Sequence, residues 1–394
     1  MQSYDPYRKY GLTRVINAST SLTRLGGSIP HPDVFSSMED ASKAFIRIPE
    51  LQKWAGDRIS RELGTEAALP TSGAACALML ASAACIFKGT ELEKYDPLEK
   101  NDWNPIIQKL PLHTEGLRNQ FIVMKNDRNV YDHSVECAGG IMVEAGESDY
   151  TTIDHIHDTI NHEKTAAFYY TIRPSTDIMP VKDFAEVAKE YDLPLIVDAA
   201  PNLTHKKVPK ILRDWGADLM IFSGGKQLGG PNNTGILAGR EDLVKLAHLN
   251  SYPFDGVGRV AKMSRETMIG LVKALELFME RDDEEYYKEM EIKSKKLANE
   301  LASIDGLGSG VIYEPTIDSS LTSPTYAYIE TEEESESDLR KIHEKLLESN
   351  PPIEALYEPF FITPEAEGKI TFKVEYLLPG DSDIIIKRLR EIIK

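Results

Sequence analysis

Ser223-Gly224-Gly225-Lys226-Gln227-Leu228-Gly229-Gly230-Pro231 sets one lysine among glycines, and the residues leading into it decide how the chain folds. Asp218-Leu219-Met220-Ile221-Phe222 is an apolar run of strand length that stops where the glycines begin. Leu195-Ile196-Val197 is a second such run, and it ends at Asp198, 28 residues ahead of Lys226. Two buried strands thus deliver an acid and an amine to one sheet edge. The alternative makes Asp198 a helix cap and Lys226 a surface lysine, but a solvated lysine needs neither the glycines nor the apolar strand before it. A P-loop also fails. That motif requires Ser or Thr after the lysine, where Gln227 stands, and a glycine five residues before Gly225, where Met220 stands.

A strand-end acid and a strand-end lysine are what a pyridoxal phosphate site requires. The lysine forms the Schiff base, and the carboxylate pairs with the protonated pyridine nitrogen. A second stretch agrees. Thr71-Ser72-Gly73-Ala74-Ala75 opens the small, apolar helix Cys76–Phe87. Such a turn collects free N–H groups and the positive end of the helix dipole where a phosphate binds, although Ser is also a common N-cap.

Around these two stretches, apolar strands alternate with amphipathic helices from about residue 66 to 223. Phe121–Met124, Ile141–Glu144 and Ala166–Tyr170 read as strands, and Tyr131–Ala138 and Val181–Tyr191 as helices. That alternation predicts an α/β fold with a mostly parallel central sheet, its crossover helices on both faces. Thr234–Ala238 continues as a strand, followed by helices Glu241–Leu249, Met263–Met279 and Glu284–Ser303. The predicted division is an amino-terminal arm with two helices (1–60), a large α/β domain (61–284) and a small α+β domain (285–394). In the small domain, strands are expected near Thr325–Ile329, Ile353–Tyr357 and Lys369–Tyr376, with helices Glu334–Glu348 and Asp383–Ile393. Residues 88–118 show no period and read as an insertion or loop. The segment Ser19–Ser28, rich in hydroxyls and glycines, is either a flexible loop or a closure over a polar ligand. Asp154-His155-Ile156-His157-Asp158 places its histidines on different helix faces, so it reads as a solvated helix rather than a metal site. The acidic run from Glu330 to Glu336 reads as a solvated turn and helix start.

With 63 acidic and 45 basic residues, the formal net charge is -18. That charge repels nucleic acid backbones and disfavours a tRNA or DNA partner. Cys76, Cys85 and Cys137 show no CxxC spacing, which predicts reduced core residues and no metal. No secretory apolar segment and no run of 18 apolar residues is present, so a soluble, cytoplasmic protein without a membrane partner is expected.

The stretches above, together with Val15-Ile16-Asn17-Ala18, Leu25-Gly26-Gly27-Ser28, Tyr131-Asp132 through Gly140 and Gly258-Arg259 with Lys262, resemble the fold-type I pyridoxal phosphate enzymes. The likeness is to the selenocysteine synthase-like group, which includes the D-glucosaminate-6-phosphate ammonia lyases. It covers about residues 10–280, and the Ser-Gly-Gly-Lys run followed by Leu-Gly-Gly-Pro is specific to the group. The resemblance implies that Lys226 and Asp198 are catalytic and hold pyridoxal 5'-phosphate. It gives the phosphate to Ser72, Gly73, Ala74 and Ser223, helped by Thr234 of a neighbouring subunit. Many such enzymes stack a ring on the cofactor from the loop after the Phe121–Met124 strand. Here that loop reads Asn126-Asp127-Arg128-Asn129, so Arg128 is the candidate, with His133 behind it. Arg259, Lys262 and Arg173 suit a carboxylate or sugar phosphate, with Asn17 and Thr20 as further substrate contacts. The expected protein is a homodimer or higher homo-oligomer. Its expected activity is β-elimination from a hydroxylated amino acid such as D-glucosaminate or its 6-phosphate. Selenium or sulfur transfer, transamination, racemisation and a non-enzymatic regulatory role are the alternatives.

Overall fold

Strands covered on both faces need apolar residues at every position rather than at alternate ones. Phe121-Ile122-Val123-Met124 and Leu219-Met220-Ile221-Phe222 meet that demand, and all eight residues are fully buried. The computed structural model describes residues 5–99, 102–173, 178–331, 336–357 and 364–393. It places both runs in one seven-stranded sheet. The strands are β1 (Ala67–Thr71), β2 (Gln120–Met124), β3 (Ile141–Ala145), β4 (Thr165–Thr171), β5 (Leu195–Asp198), β6 (Leu219–Ser223) and β7 (Gly235–Gly239). Their order is β1-β7-β6-β5-β4-β2-β3. All pairings are parallel except those of β7, which runs antiparallel to both β6 and β1. The ends of β1, β2, β4, β5 and β6 therefore share one edge, where open α/β sheets bind their ligands.

Helix α3 follows β1 and spans Ala74–Phe87, with every residue from Ala77 to Phe87 buried. Its alanines let it lie close over the sheet, in one core with Phe121, Tyr169, Ile196, Ile221 and Leu237. Each large side chain so enclosed contributes roughly 1.5–3 kcal/mol relative to exposure. Residues 88–118 differ from the expected insertion. Leu92, Trp103, Ile107 and Leu110 are buried in this same core, and Trp103 meets Phe254 edge-on at 5.1 Å. Its helices, such as Asn104–Ile107, are one turn long, too short to show a period.

The chain divides into Ser28–Glu280 and a second unit made of Met1–Gly27 with Arg281–Lys394. This departs from a separate segment 1–60. Helices at Pro32–Ser42 and Ile48–Leu63 pack on the helix Arg265–Glu280, and the second of them on β1, all inside the larger unit. Only the first residues belong elsewhere. The short strand Ile16–Asn17 pairs in parallel with Ile353–Glu354, and Arg14 forms a buried ion pair with Asp381 at 2.5 Å. The smaller unit also holds an antiparallel sheet of β8 (Leu307–Tyr313), β9 (Thr325–Thr331) and β10 (Ile370–Phe372), with β9 central. Strand β8 was not expected. Gly308 and Gly310 hide its character, and both face side chains of β9, Glu330 and Tyr328. Residues 332–335 of the acidic run lie outside the described residues. Among the described residues, no helix is long and apolar enough to cross a membrane.

Candidate active site

Three strands meet at Gly235. It is the register partner of Thr71 at the end of β1 and of Ser223 at the end of β6. A Cβ at Gly235 would lie 2.5 Å from the Gly73 carbonyl carbon and 2.8 Å from the Ala74 nitrogen. Only glycine lets β7 pass beneath that turn, and its passage brings the two glycine-rich stretches together. Gly73 itself has φ +127°, caps α3, and offers no side chain to the helix start. Its carbonyl accepts from the Ala77 N–H and the Thr71 hydroxyl, each at 3.0 Å. The first-turn N–H groups at Ala74 and Ala75 have no helical acceptor and sit at the positive end of the dipole. Half-buried Ser72 and Ser223 flank them. On the other side, the Ser28 N–H and hydroxyl both donate to the Gly225 carbonyl, at 2.9 and 3.2 Å, and fix the lysine loop.

Asp198 ends β5 and is buried. Its Oδ1 accepts the Ala200 N–H at 3.0 Å, and no described residue donates to its other oxygen. Burial pushes its carboxyl pKa up, against the pull of the Ala200 N–H and of Lys226. Lys226 responds in the opposite sense. Burial pushes its amine down, and Asp198 resists. The amine makes no hydrogen bond or ion pair with any described residue. A half-buried lysine without a partner, beside a buried acid with a free oxygen, is costly unless a ligand completes both.

The loop after β2 is a network of paired charges. Asp127 is fully buried; its Oδ2 accepts the Thr171 N–H at 2.9 Å and its Oδ1 lies 2.9 Å from Arg173 Nε. Asp132 is buried and accepts from Arg128 Nε at 2.6 Å and from the Asn129 N–H at 3.1 Å. The Asn129 amide donates to the Thr171 hydroxyl, and that hydroxyl donates to Tyr169, each at 3.0 Å. Thr171 is in turn the register partner of Asp198. Sequence reading assigned no role to Asp127 or Asp132. Two acids in a short loop holding an arginine, just past a buried strand, were the available signal.

Several expected site residues are spent elsewhere. Arg128 is clamped between Asp132 and Glu144, at 2.6 Å from each, so it is not a free planar group for stacking. His133 is exposed and turns back to the Val130 carbonyl. Thr234 is fully buried and donates to the Pro231 carbonyl at 2.6 Å, which closes its own loop and leaves no hydroxyl for a neighbouring subunit. Asn17 lies in the smaller unit, where its amide donates to the Thr20 carbonyl at 3.0 Å and accepts from Ser19, so it staples its own turn. Arg259 and Lys262 sit on one surface loop, over the Tyr252 ring at 5.3 and 5.9 Å. Among the expected residues, Lys226, Asp198, Ser72, Gly73, Ala74, Ser223 and Arg173 share the carboxyl edge of the sheet.

A mostly parallel seven-stranded sheet with one antiparallel strand, a lysine after β6 and an acid after β5 define a pyridoxal phosphate enzyme of fold type I. Comparison with known proteins agrees. The family described as aminotransferase class-V matches residues 141–337. The chain is 32% identical to the D-glucosaminate-6-phosphate ammonia lyase of Salmonella typhimurium over 280 residues, covering 68% of this chain and 69% of that protein. It is 29% identical to a 5'-C-glycyluridine monooxygenase-decarboxylase of a Streptomyces species over 314 residues, covering 77% and 72%. A solved D-glucosaminate-6-phosphate ammonia-lyase structure superposes with a TM-score of 0.81 at 25% identity, across 99% of this chain and 98% of that one. The protein belongs to the aminotransferase class-V family, in its selenocysteine synthase-like group, and is an enzyme whose cofactor is pyridoxal 5'-phosphate.

Proposed function

We propose that the protein is an ammonia lyase acting by β-elimination on a hydroxylated amino acid, D-glucosaminate or its 6-phosphate, with release of a 2-keto acid and ammonia. The observation that carries this reading is the unpartnered, half-buried Lys226 amine beside Asp198; burial pushes that amine's pKa down and favours a neutral nucleophile and base. When bound, the cofactor supplies an aldehyde carbon for an amine and a ring that draws electron density from the substrate's α-carbon. Asp198 keeps a proton on the ring nitrogen through its free oxygen. The N–H groups at Ala74 and Ala75, with the Ser72 and Ser223 hydroxyls, hold the phosphate. Lys226 takes the α-proton and can return a proton to the departing β-hydroxyl, which leaves as water. Hydrolysis of the resulting enamine consumes one water and frees ammonia, so the net change is loss of ammonia alone. Arg173 binds the substrate carboxylate; Arg259 and Lys262 remain candidates for a distal phosphate.

The relative's activity and the likeness across nearly the whole chain support the substrate class. The Streptomyces relative supports a second reading, oxidative decarboxylation. Incubation with D-glucosaminate, its 6-phosphate and β-hydroxy amino acids separates the two. The lyase gives equimolar keto acid and ammonia without an added acceptor. Carbon dioxide release with oxygen uptake would replace it by the second reading, and ammonia transfer that requires a keto acid would make it an aminotransferase. A cytoplasmic homo-oligomer belongs to the same reading.

A further inference from the structure

Arg173 leaves the sheet two residues beyond Thr171, the cross-strand partner of Asp198, and the Ile172 N–H donates to the Asp198 carbonyl at 2.8 Å. Its guanidinium is held twice. Nε lies 2.9 Å from Asp127 Oδ1, and Nη2 donates to the Asn126 carbonyl. Asp127 at the same time accepts the Thr171 N–H, so one carboxylate fixes both the strand end and the arginine that follows it. A guanidinium has five N–H donors in a rigid plane. The ion pair at Nε and the hydrogen bond from Nη2 together orient that plane and leave the remaining edge for another acceptor.

We propose that Asp127 is the positioning residue that aims Arg173 at the substrate carboxylate, and so governs substrate affinity without touching substrate. The proposal rests on Arg173 being the carboxylate anchor of the reaction described above. Stability alone does not account for the arrangement. Buried ion pairs seldom repay their desolvation, and an apolar pair of like volume would serve the fold as well. Burial here pushes the Asp127 carboxyl up to about 7 even though Thr171 and Arg173 pull it down. Asp132, Tyr169 and Tyr170 are the other titratable groups facing it. A carboxylate kept at that cost beside a half-exposed arginine is explained by the direction it imposes.

The test compares two probes on the holoenzyme: D-glucosaminate, and glucosaminitol, in which the carboxylate is replaced by CH2OH. Binding is read from the initial change in cofactor absorbance on rapid mixing. Arg173→Gln lowers glucosaminate affinity roughly 10- to 100-fold, the value of a charge-assisted hydrogen bond, and leaves glucosaminitol within about twofold. Asp127→Asn reproduces that selective loss, with kcat changed far less than KM, and Asp127→Glu restores part of it. The double variant loses little more than either single one. Asp127→Asn binding glucosaminate within about twofold of the parent overturns the positioning role while leaving Arg173 as anchor. No effect of Arg173→Gln overturns the anchor itself, and the proposal with it. If Asp127→Asn does not fold, Arg173→Lys carries the test, because lysine keeps the charge but cannot be held at two points. It loses affinity as Arg173→Gln does, and full retention refutes the aiming role.

Discussion

Gly235→Ala tests the meeting point of the three strands. The added Cβ would stand 2.5 Å from the Gly73 carbonyl carbon, where ordinary contact begins near 3.4 Å. The obstacle is backbone, so either β7 or the Ser72-Gly73-Ala74 turn must retreat by about 0.9 Å. Overpacking of this kind costs about 1–3 kcal/mol. If the turn yields, the N–H groups at Ala74 and Ala75 move off the phosphate, and cofactor affinity falls by roughly 5- to 150-fold, at 1.4 kcal/mol per decade. If the strand yields, the same energy is lost from the unfolding free energy instead. The assay therefore needs both readings: titration of cofactor-free protein with pyridoxal phosphate followed by absorbance, and urea unfolding followed by circular dichroism. The two losses together should reach at least about 1 kcal/mol. A variant with cofactor affinity within twofold and an unchanged unfolding midpoint would refute the claim that β7 passes against the phosphate turn.

Lys226→Ala should abolish the absorbance near the visible edge and the borohydride-reducible adduct; retention of either disproves its assignment. Asp198→Asn, with similar shape and no charge, should still bind cofactor but lose at least about 100-fold in turnover, as a lost catalytic proton-holding group does; undiminished kcat would count against it. Asp127 should also mark the stability curve. Its carboxyl holds a proton up to about 7 when folded and only to about 3.8 when unfolded. Between those values the native state binds more protons, so stability falls as pH rises through that window, by up to about 4 kcal/mol. Urea midpoints at pH 5 and pH 8 should differ less for Asp127→Asn than for the parent, and an equal difference would show that this carboxyl does not titrate there. Asp381→Ala strands the buried Arg14 guanidinium, 6% exposed, and should cost about 3–5 kcal/mol in the smaller unit; a thermal midpoint unchanged by the substitution would exclude that.

The central sheet was legible because its strands are apolar at every position, a pattern that loops cannot share. Lys226 and Asp198 were legible because each closes such a strand. Strand β8 was not, since glycine at 308 and 310 erases the alternation that a half-buried strand normally displays. The boundary near residue 28 was hidden as well, because the pairing of Ile16 with Ile353 is a long-range event with no local trace. At the site, composition showed charges in the loop after β2 but not who held whom. Arg128 looked available until Asp132 and Glu144 were seen on either side of it. Thr234 was expected at the phosphate only from the family resemblance, and its hydroxyl donates to its own chain's Pro231 carbonyl, a local turn bond of the kind threonine readily makes.

The parallel pairing of Ile16–Asn17 with Ile353–Glu354 has a consequence for synthesis. The strand at Ile16–Asn17 must wait for residues made more than 300 positions later, while Ser28–Glu280 contains everything its own sheet needs. Domains fold as units when their parts have all emerged. The larger unit can therefore form during translation with the amino-terminal arm still loose, and the arm finds its place only once residues 353–354 have been made.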